Sequence, residues 1–177
     1  MSAQVSPVNL EAFLRENGIA AARHEHPPVM TVEESLRLVP PLPGAKTKNL
    51  FLRDKKGKRH FLVTVRHDLA VDLSALEFAL GVRGLGFGSP ERLSKHLGVA
   101  PGSVSLLGLV NDTSKAVEFV IDRKLWEAVA VHAHPLRNDA TLVIEHADLE
   151  RFLAATGHTP HIIDVPIDVP AARPVER

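Results

Sequence analysis

Four polar positions, Lys46-Thr47-Lys48-Asn49, run into three apolar ones, Leu50-Phe51-Leu52, in a strand-like stretch. A strand places successive side chains on opposite faces. Lys46, Lys48, Leu50 and Leu52 therefore share one face, and Thr47, Asn49 and Phe51 the other. Pro43-Gly44 supplies a turn ahead of this strand. A lysine in register with leucines either snorkels off the strand end or reaches into a pocket to serve a polar ligand, and periodicity leaves both open. Asp54-Lys55-Lys56-Gly57-Lys58 reads as a hairpin turn. The chain returns over His60 to Val65, with Phe61, Val63 and Val65 on one face.

The same reading gives the other elements. Ser6-Pro7 opens a helix carrying Leu10, Phe13 and Leu14, stopped at Gly18. Ala21 to His26 is extended and ends at Pro27-Pro28. Thr31-Val32-Glu33-Glu34 is a capping box for a short helix through Leu38. Asp72 caps a helix closed by Gly81, and Ser89-Pro90 begins another with Leu93 and Leu97 inside and Gly98 as its stop. Between them, Gly84 to Gly88 is a tight glycine-rich piece. Val104 to Val110, Val117 to Ile121, Val129 to His132, Ala140 to Ile144 and Ile162 to Val165 read as strands. Leu125 to Ala128 reads as a helical turn, and His146 to Thr156 as an amphipathic helix. Strands and helices are interspersed and several strands meet through tight turns, so the fold class is α+β, a mixed and mostly antiparallel sheet or barrel in a single domain.

Composition narrows the function. The 177 residues suit one domain, and 45% hydrophobic with 24% charged residues is ordinary for a soluble globule. No run approaches a membrane span, and Met1-Ser2-Ala3-Gln4-Val5 lacks signal-peptide character, so a cytoplasmic location is the expectation. The absence of cysteine excludes disulfides, thiol catalysis and thiolate-bound zinc. Lys+Arg and Asp+Glu are 21 each, which argues against bulk electrostatic binding of nucleic acid. A local basic patch exists nonetheless: Lys46, Lys48, Arg53, Lys55, Lys56, Lys58 and Arg59, relieved only by Asp54. It is either a solvated hairpin tip or a phosphate contact surface.

Familiar motifs fail. Gly84-x-Gly86-x-Gly88 does not complete Gly-x-Gly-x-x-Gly, and no Gly-Lys-Ser/Thr occurs. Ser89 sits in Gly-Ser-Pro and reads as a helix cap. His24-x-His26 and His132-x-His134 lack a third ligand nearby, so no metal or other cofactor is expected. Two loops remain. Gly98-Val99-Ala100-Pro101-Gly102-Ser103-Val104 is either a plain helix stop or a set of exposed N–H groups for an oxyanion. His134 in His134-Pro135-Leu136 is a pocket wall, a donor or base, or a structural histidine.

Taken in order, His26-Pro27-Pro28-Val29, Pro43-Gly44 to Leu52, Ser89-Pro90-Glu91-Arg92-Leu93, Gly98 to Ser103, Asn111-Asp112 and His134-Pro135-Leu136 resemble the YbaK/prolyl-tRNA-synthetase-associated editing domain. The likeness runs from about His24 to Val165, placing one editing domain over residues 1–165 and leaving a loose tail over 166–177. It implies a barrel-like core with surrounding helices and hydrolysis of the ester between a wrong amino acid and tRNA. The Lys-Asn-Leu-Phe-Leu spelling is similar to the free-standing branch that clears alanine from proline tRNA. By that resemblance Lys48 and Asn49 are the catalytic pair, and Gly98, Pro101, Gly102 and Ser103 cradle the aminoacyl group. His134 shapes selectivity, and Lys46, Arg53, Lys55, Lys56 and Lys58 contact tRNA. Lys46 departs from the histidine or other polar residue expected there, and Arg137 and Asp139 add charge to a stretch usually less charged.

An aminoacyl ester is already activated, so direct water attack suffices, assisted in this family by a ribose hydroxyl of the substrate. The implied partner is the acceptor end of mischarged tRNA(Pro), delivered by prolyl-tRNA synthetase or elongation factor. Competing readings are editing of Cys-tRNA(Pro) or Ser-tRNA, a non-catalytic tRNA-binding module, and a metal-dependent hydrolase.

Overall fold

The computed structural model describes residues 8–169. Its organising element is a hairpin of β2 (Thr47–Arg53) and β3 (His60–Arg66), in register from Thr47 opposite Arg66 to Arg53 opposite His60. Two short strands, β4 (Gly86–Phe87) and β8 (His161–Ile163), and the longer β5 (Val117–Asp122) extend it to a five-stranded sheet ordered β4-β2-β3-β5-β8. A second sheet contains β1 (Ala22–Glu25), β7 (Ala140–Glu145) and β6 (Ala130–Ala133), in the order β1-β7-β6. The β3–β5 and β5–β8 pairings are parallel, and the other four among the described residues are antiparallel. The mixed, mostly antiparallel α+β expectation therefore holds.

The closed barrel does not. The two sheets are joined backbone to backbone where Ala45, just ahead of β2, bridges Val131 of β6. The Ala45 N–H donates to Ala130 O at 2.9 Å, and the His132 N–H donates to Ala45 O at 2.9 Å. β1 and β8 remain outer edges. The result is two open sheets sharing a seam.

The alternation read along β2 matches the packing. Leu50 and Leu52 join Phe61, Val63 and Val65 in a core under the helix α3 (Leu73–Leu80). Phe51 faces the larger core with α4 (Pro90–Leu97), the 3-10 helix η1 (Leu106–Asn111) and α6 (His146–Thr156). Most helix boundaries follow their caps: Asp72 accepts from Ala75 N, Ser89 from Arg92 N, and Gly81, Gly98 and Gly157 end their helices left-handed. Thr31 accepts from Glu34 N to open α2 (Val32–Leu38). The Glu34 carboxylate receives Met30 N rather than closing the box on Thr31. The remaining helices are α1 (Leu10–Glu16) and a single turn, α5 (Arg123–Trp126).

Three expectations need correction. Asn9, not Ser6, caps α1; Ser6 and Pro7 lie outside the described residues. Val104 to Val110 is not a strand. Ser105 Oγ accepts from Leu107 N and opens η1, whose residues 106–110 are all buried. An unbroken apolar run of that kind has no period to separate strand from helix. Residues 166–169 of the supposed loose tail are anchored: Asp72 N donates to Pro166 O, Asp168 N donates to Ala70 O, and Ile167 bridges Val71. Residues 170–177 lie outside the described residues.

Candidate functional site

The seam between the sheets opens into a cleft of about 340 Å³ at the mouth of β2, within the size of small-ligand sites, roughly 300–1,000 Å³. The cleft wraps the strand end, so both faces of β2 contribute. Thr47 and Asn49 line it from one side, Lys46 and Lys48 from the other. β6 and its exit supply His132, Ala133 and His134, and Thr141 comes from β7. Val29, Met30, Thr31, Ser35 and Val39 form the wall around α2, and Gly102 and Val104 close it from the loop after α4.

Hydrogen bonds fix this geometry from the backbone outward. Thr47 Oγ1 donates to His132 O at 2.6 Å, and His132 Nε2–H donates back to Pro43 O at 2.8 Å. Asn49 Oδ1 accepts from buried Thr64 Oγ1 at 2.6 Å, and its Nδ2 points at Val104 O at 3.4 Å. Ser105 Oγ donates to His134 O at 2.7 Å, and His134 Nδ1–H donates to Ala140 O at 3.3 Å. That bond leaves His134 Nε2 as an acceptor. Burial pushes the His134 imidazole below its ordinary range, with His26 adding to the effect and the bond to Ala140 opposing it. Burial does the same to His132, opposed by the bond to Pro43 and aided by Lys46. The cleft thus presents neutral imidazoles beside two cations.

Those cations have no protein counter-charge. Among the described residues no lysine takes part in an ion pair, although Lys46 and Lys48 are half-buried. Half-buried ammonium groups without partners favour an anionic or polar ligand. His67 adds to this. It lines the cleft, its N–H donates to Lys46 O, and its Nδ1 is buried without a hydrogen-bond partner among the described residues. Sequence reading missed His67 because it follows the hairpin outside any motif.

The glycine–proline loop behaves differently from its expected role. Gly98 N–H donates to Ser94 O and Ser103 N–H to Ala100 O, so neither is free for an oxyanion. Gly98 is needed for another reason. It is left-handed at φ +66, and a Cβ there would lie 2.7 Å from Asn111 Nδ2. Of the loop residues assigned to the substrate, Gly102 reaches the cleft, whereas Gly98, Pro101 and Ser103 are not among its walls. The basic hairpin also divides. Arg53 Nη1 is held by Gly84 O and Asp54 O, so its guanidinium is occupied within the fold. Lys55, Lys56 and Lys58 are exposed at the far tip, away from Lys46 and Lys48. Arg137 and Asp139 pair with each other, two bonds at 2.7 Å. His24, His26, His132 and His134 do not assemble a metal site: no group of three or more His, Asp or Glu able to share an ion occurs among the described residues.

Comparison with known proteins decides the family, since residues 26–152 match the model of the aminoacyl-tRNA editing domain. The chain belongs to the aminoacyl-tRNA editing domain family. It is 44% identical over 167 residues to prolyl-tRNA synthetase associated domain-containing protein 1 of Danio rerio, covering 91% of this chain and 90% of that one. It is 41% identical over 135 residues to the prolyl-tRNA editing protein ProX of Acetoanaerobium sticklandii, covering 76% and 82%. A solved structure described as a candidate trans-editing enzyme for prolyl tRNA synthetase superposes with a TM-score of 0.66 at 21% identity, covering 89% of this chain and 94% of its own length. As a member of this editing family, the chain reads as a hydrolase acting on aminoacyl-tRNA. No helix among the described residues is long and apolar enough to cross a membrane.

The seam that shapes the cleft depends on Gly44. Its φ is +95, and a Cβ would stand 2.7 Å from Ala130 O and 2.9 Å from Ala130 C, both backbone atoms of β6. Neither the left-handed conformation nor a backbone clash is relieved by a rotamer change. Gly44→Ala is expected to cost at least about 2 kcal/mol, read as a lower urea midpoint. It should also weaken substrate binding, because Lys46 and Lys48 follow directly on the displaced turn.

Proposed function

We propose that this protein is a free-standing cytoplasmic deacylase that hydrolyses Ala-tRNA(Pro). The observation that carries the reading is the cleft at the β2 mouth, where Lys46 and Lys48, neither in an ion pair among the described residues, meet Asn49 and His134. The relatives named for prolyl-tRNA editing support proline tRNA as the carrier.

In this reading Lys48 binds phosphate or ribose oxygens of the terminal adenosine and fixes the ester. Asn49, locked by Thr64, offers its amide to the same end of the substrate. Water attacks the ester carbonyl, assisted by a ribose hydroxyl of the substrate, and the carboxylate and the free tRNA hydroxyl leave. Gly102 is the loop residue positioned to approach the aminoacyl group. The cleft is small, and a synthetase cannot exclude a side chain smaller than its own substrate, so a second sieve must admit alanine and refuse proline. His134 forms part of that wall.

The deciding experiment measures deacylation of Ala-, Cys- and Pro-tRNA(Pro) side by side. Alanine release well above cysteine release supports the proposal, and cysteine release above alanine overturns its specificity. Binding of tRNA with no hydrolysis of any of the three would make the protein a non-catalytic module. In the same assay His134→Ala is expected to raise hydrolysis of Pro-tRNA(Pro) relative to Ala-tRNA(Pro) about tenfold or more, as a wall is removed rather than a reacting group.

A further inference from the structure

A second cleft, about 470 Å³, lies at the opposite end of the β2–β3 hairpin from the first. Its side chains come from three places: Lys58 from the hairpin tip, His60 from the start of β3, and Arg92, Lys95 and His96 from α4. The one acidic residue lining it is Glu91, which is in no ion pair among the described residues. Arg92 is set in place rather than loose. Its Nη1 donates to Gly57 O at 3.0 Å and to His60 Nε2 at 2.9 Å. A guanidinium cannot accept, so His60 Nε2 carries the lone pair. The His60 and His96 rings lie 4.3 Å apart between centroids, and His60 also stacks on Phe51.

This cluster is short of negative charge. Burial pushes the His60 imidazole below its ordinary range, and His96, Arg92 and Lys95 add to that while Asp54 opposes it. Burial also lowers His96, with Lys95 and Arg92 adding and Asp112 opposing. Cations converging on a cavity with so little acidic compensation fit an oxyanion.

We infer that this second cleft binds a backbone phosphate of the RNA whose 3′ end occupies the first cleft. The inference rests on the tRNA reading above. The placement favours RNA over a separate ligand. α4 carries Arg92, Lys95 and His96 at the second cleft, and the loop that follows it brings Gly102 to the first. His60, which lines the second cleft, and Thr64, which holds Asn49 at the first, lie on the same face of β3, about 13 Å apart at 3.3 Å per residue. That separation matches a phosphate a few nucleotides from the terminal adenosine. Exposed Lys55 and Lys56 continue the basic surface past the second cleft.

The test uses the full chain with an acceptor-stem RNA hairpin ending in the tRNA(Pro) 3′ sequence, and with inorganic phosphate as a separate probe. Arg92→Gln and Lys95→Gln are each expected to weaken RNA binding about tenfold at low salt. Each should also lower the slope of log affinity against log salt by about 0.7–0.9, the loss of one phosphate contact. On mischarged RNA the loss should appear in KM, with kcat held within about twofold. Arg92 is bonded within the fold, so Lys95→Gln carries the test if Arg92→Gln unfolds. Unchanged affinity and salt slope in Lys95→Gln would overturn the inference. So would phosphate-induced shifts of the His60 and His96 resonances that vanish in Lys95→Gln while RNA affinity stays constant, since the cleft would then serve a free phosphate compound. Because binding is measured without turnover, a wild-type protein that hydrolyses nothing would defeat the deacylase reading and leave this result separately readable.

Discussion

Lys48→Ala is expected to reduce deacylation of Ala-tRNA(Pro) by about 10²–10³-fold or more, the usual scale for deleting one charge-stabilising group, and to leave the fold intact. Lys48 is half-buried at the cleft and has no ion pair among the described residues. Its removal therefore strands no partner in the interior, and the melting temperature should move by no more than about 2–4 °C. Lys48→Met separates charge from packing. It keeps an apolar stem along the Leu50 side of the strand and removes only the cation. Both variants should lose turnover to a similar extent. Near wild-type turnover in Lys48→Met would show that the stem, and not the charge, serves the reaction.

The largest loss of stability is expected at Asp112. Its side chain is almost fully buried and gathers donors from four places. His158 Nε2 approaches at 2.9 Å, Val117 N at 2.9 Å, Ala116 N at 3.0 Å and Ser114 Oγ at 3.4 Å. Asp112→Ala leaves the buried His158 ring and the Val117 N–H without an acceptor, at the start of the strand that pairs with β3. A cost of about 3–5 kcal/mol follows, measured by urea unfolding at pH 7. Burial alone would raise the Asp112 carboxyl, but the bond from His158 and the N–H groups of Val117 and Ala116 outweigh it and hold the group below its ordinary 3.8. A depressed carboxyl contributes stability that is present above its unfolded value and lost as pH falls through the folded one. The gap between wild type and Asp112→Ala should therefore narrow below about pH 4, where the wild type loses that contribution.

Residue periodicity carried much of this structure. The two faces of β2, the return strand, and the helices capped by Asp72 and Ser89 were legible because caps and alternation are local signals. Lys46, Lys48, Asn49, Gly102 and His134 were legible as candidate ligand contacts, and the fold brings those five to one cleft. What stayed hidden depended on distant partners. Nothing near Gly98 or Ser103 reveals that their N–H groups are already bonded, or that Arg53 is held by Gly84. His67 carries no motif, and only the closed hairpin brings it to the cleft wall. Asn111-Asp112 is legible as a motif but not as scaffolding. Its roles, Asn111 to Leu97 O and Asp112 to His158, span 14 and 46 residues. The barrel expectation failed for the same reason, because strand order cannot tell a closed sheet from two sheets that touch at Ala45.

The seam between the sheets also has a kinetic meaning. Thr47 and His132 are 85 residues apart in sequence, and Pro43 and His132 are 89 apart, yet their bonds hold the two walls of the cleft together. Closing so long a loop is entropically slow compared with forming the β2–β3 hairpin or the capped helices. A chain emerging from synthesis carries Lys48 and the local partners of its hairpin well before His132 and His134 exist to face it. The cleft is therefore completed only after β6 has been made and docked.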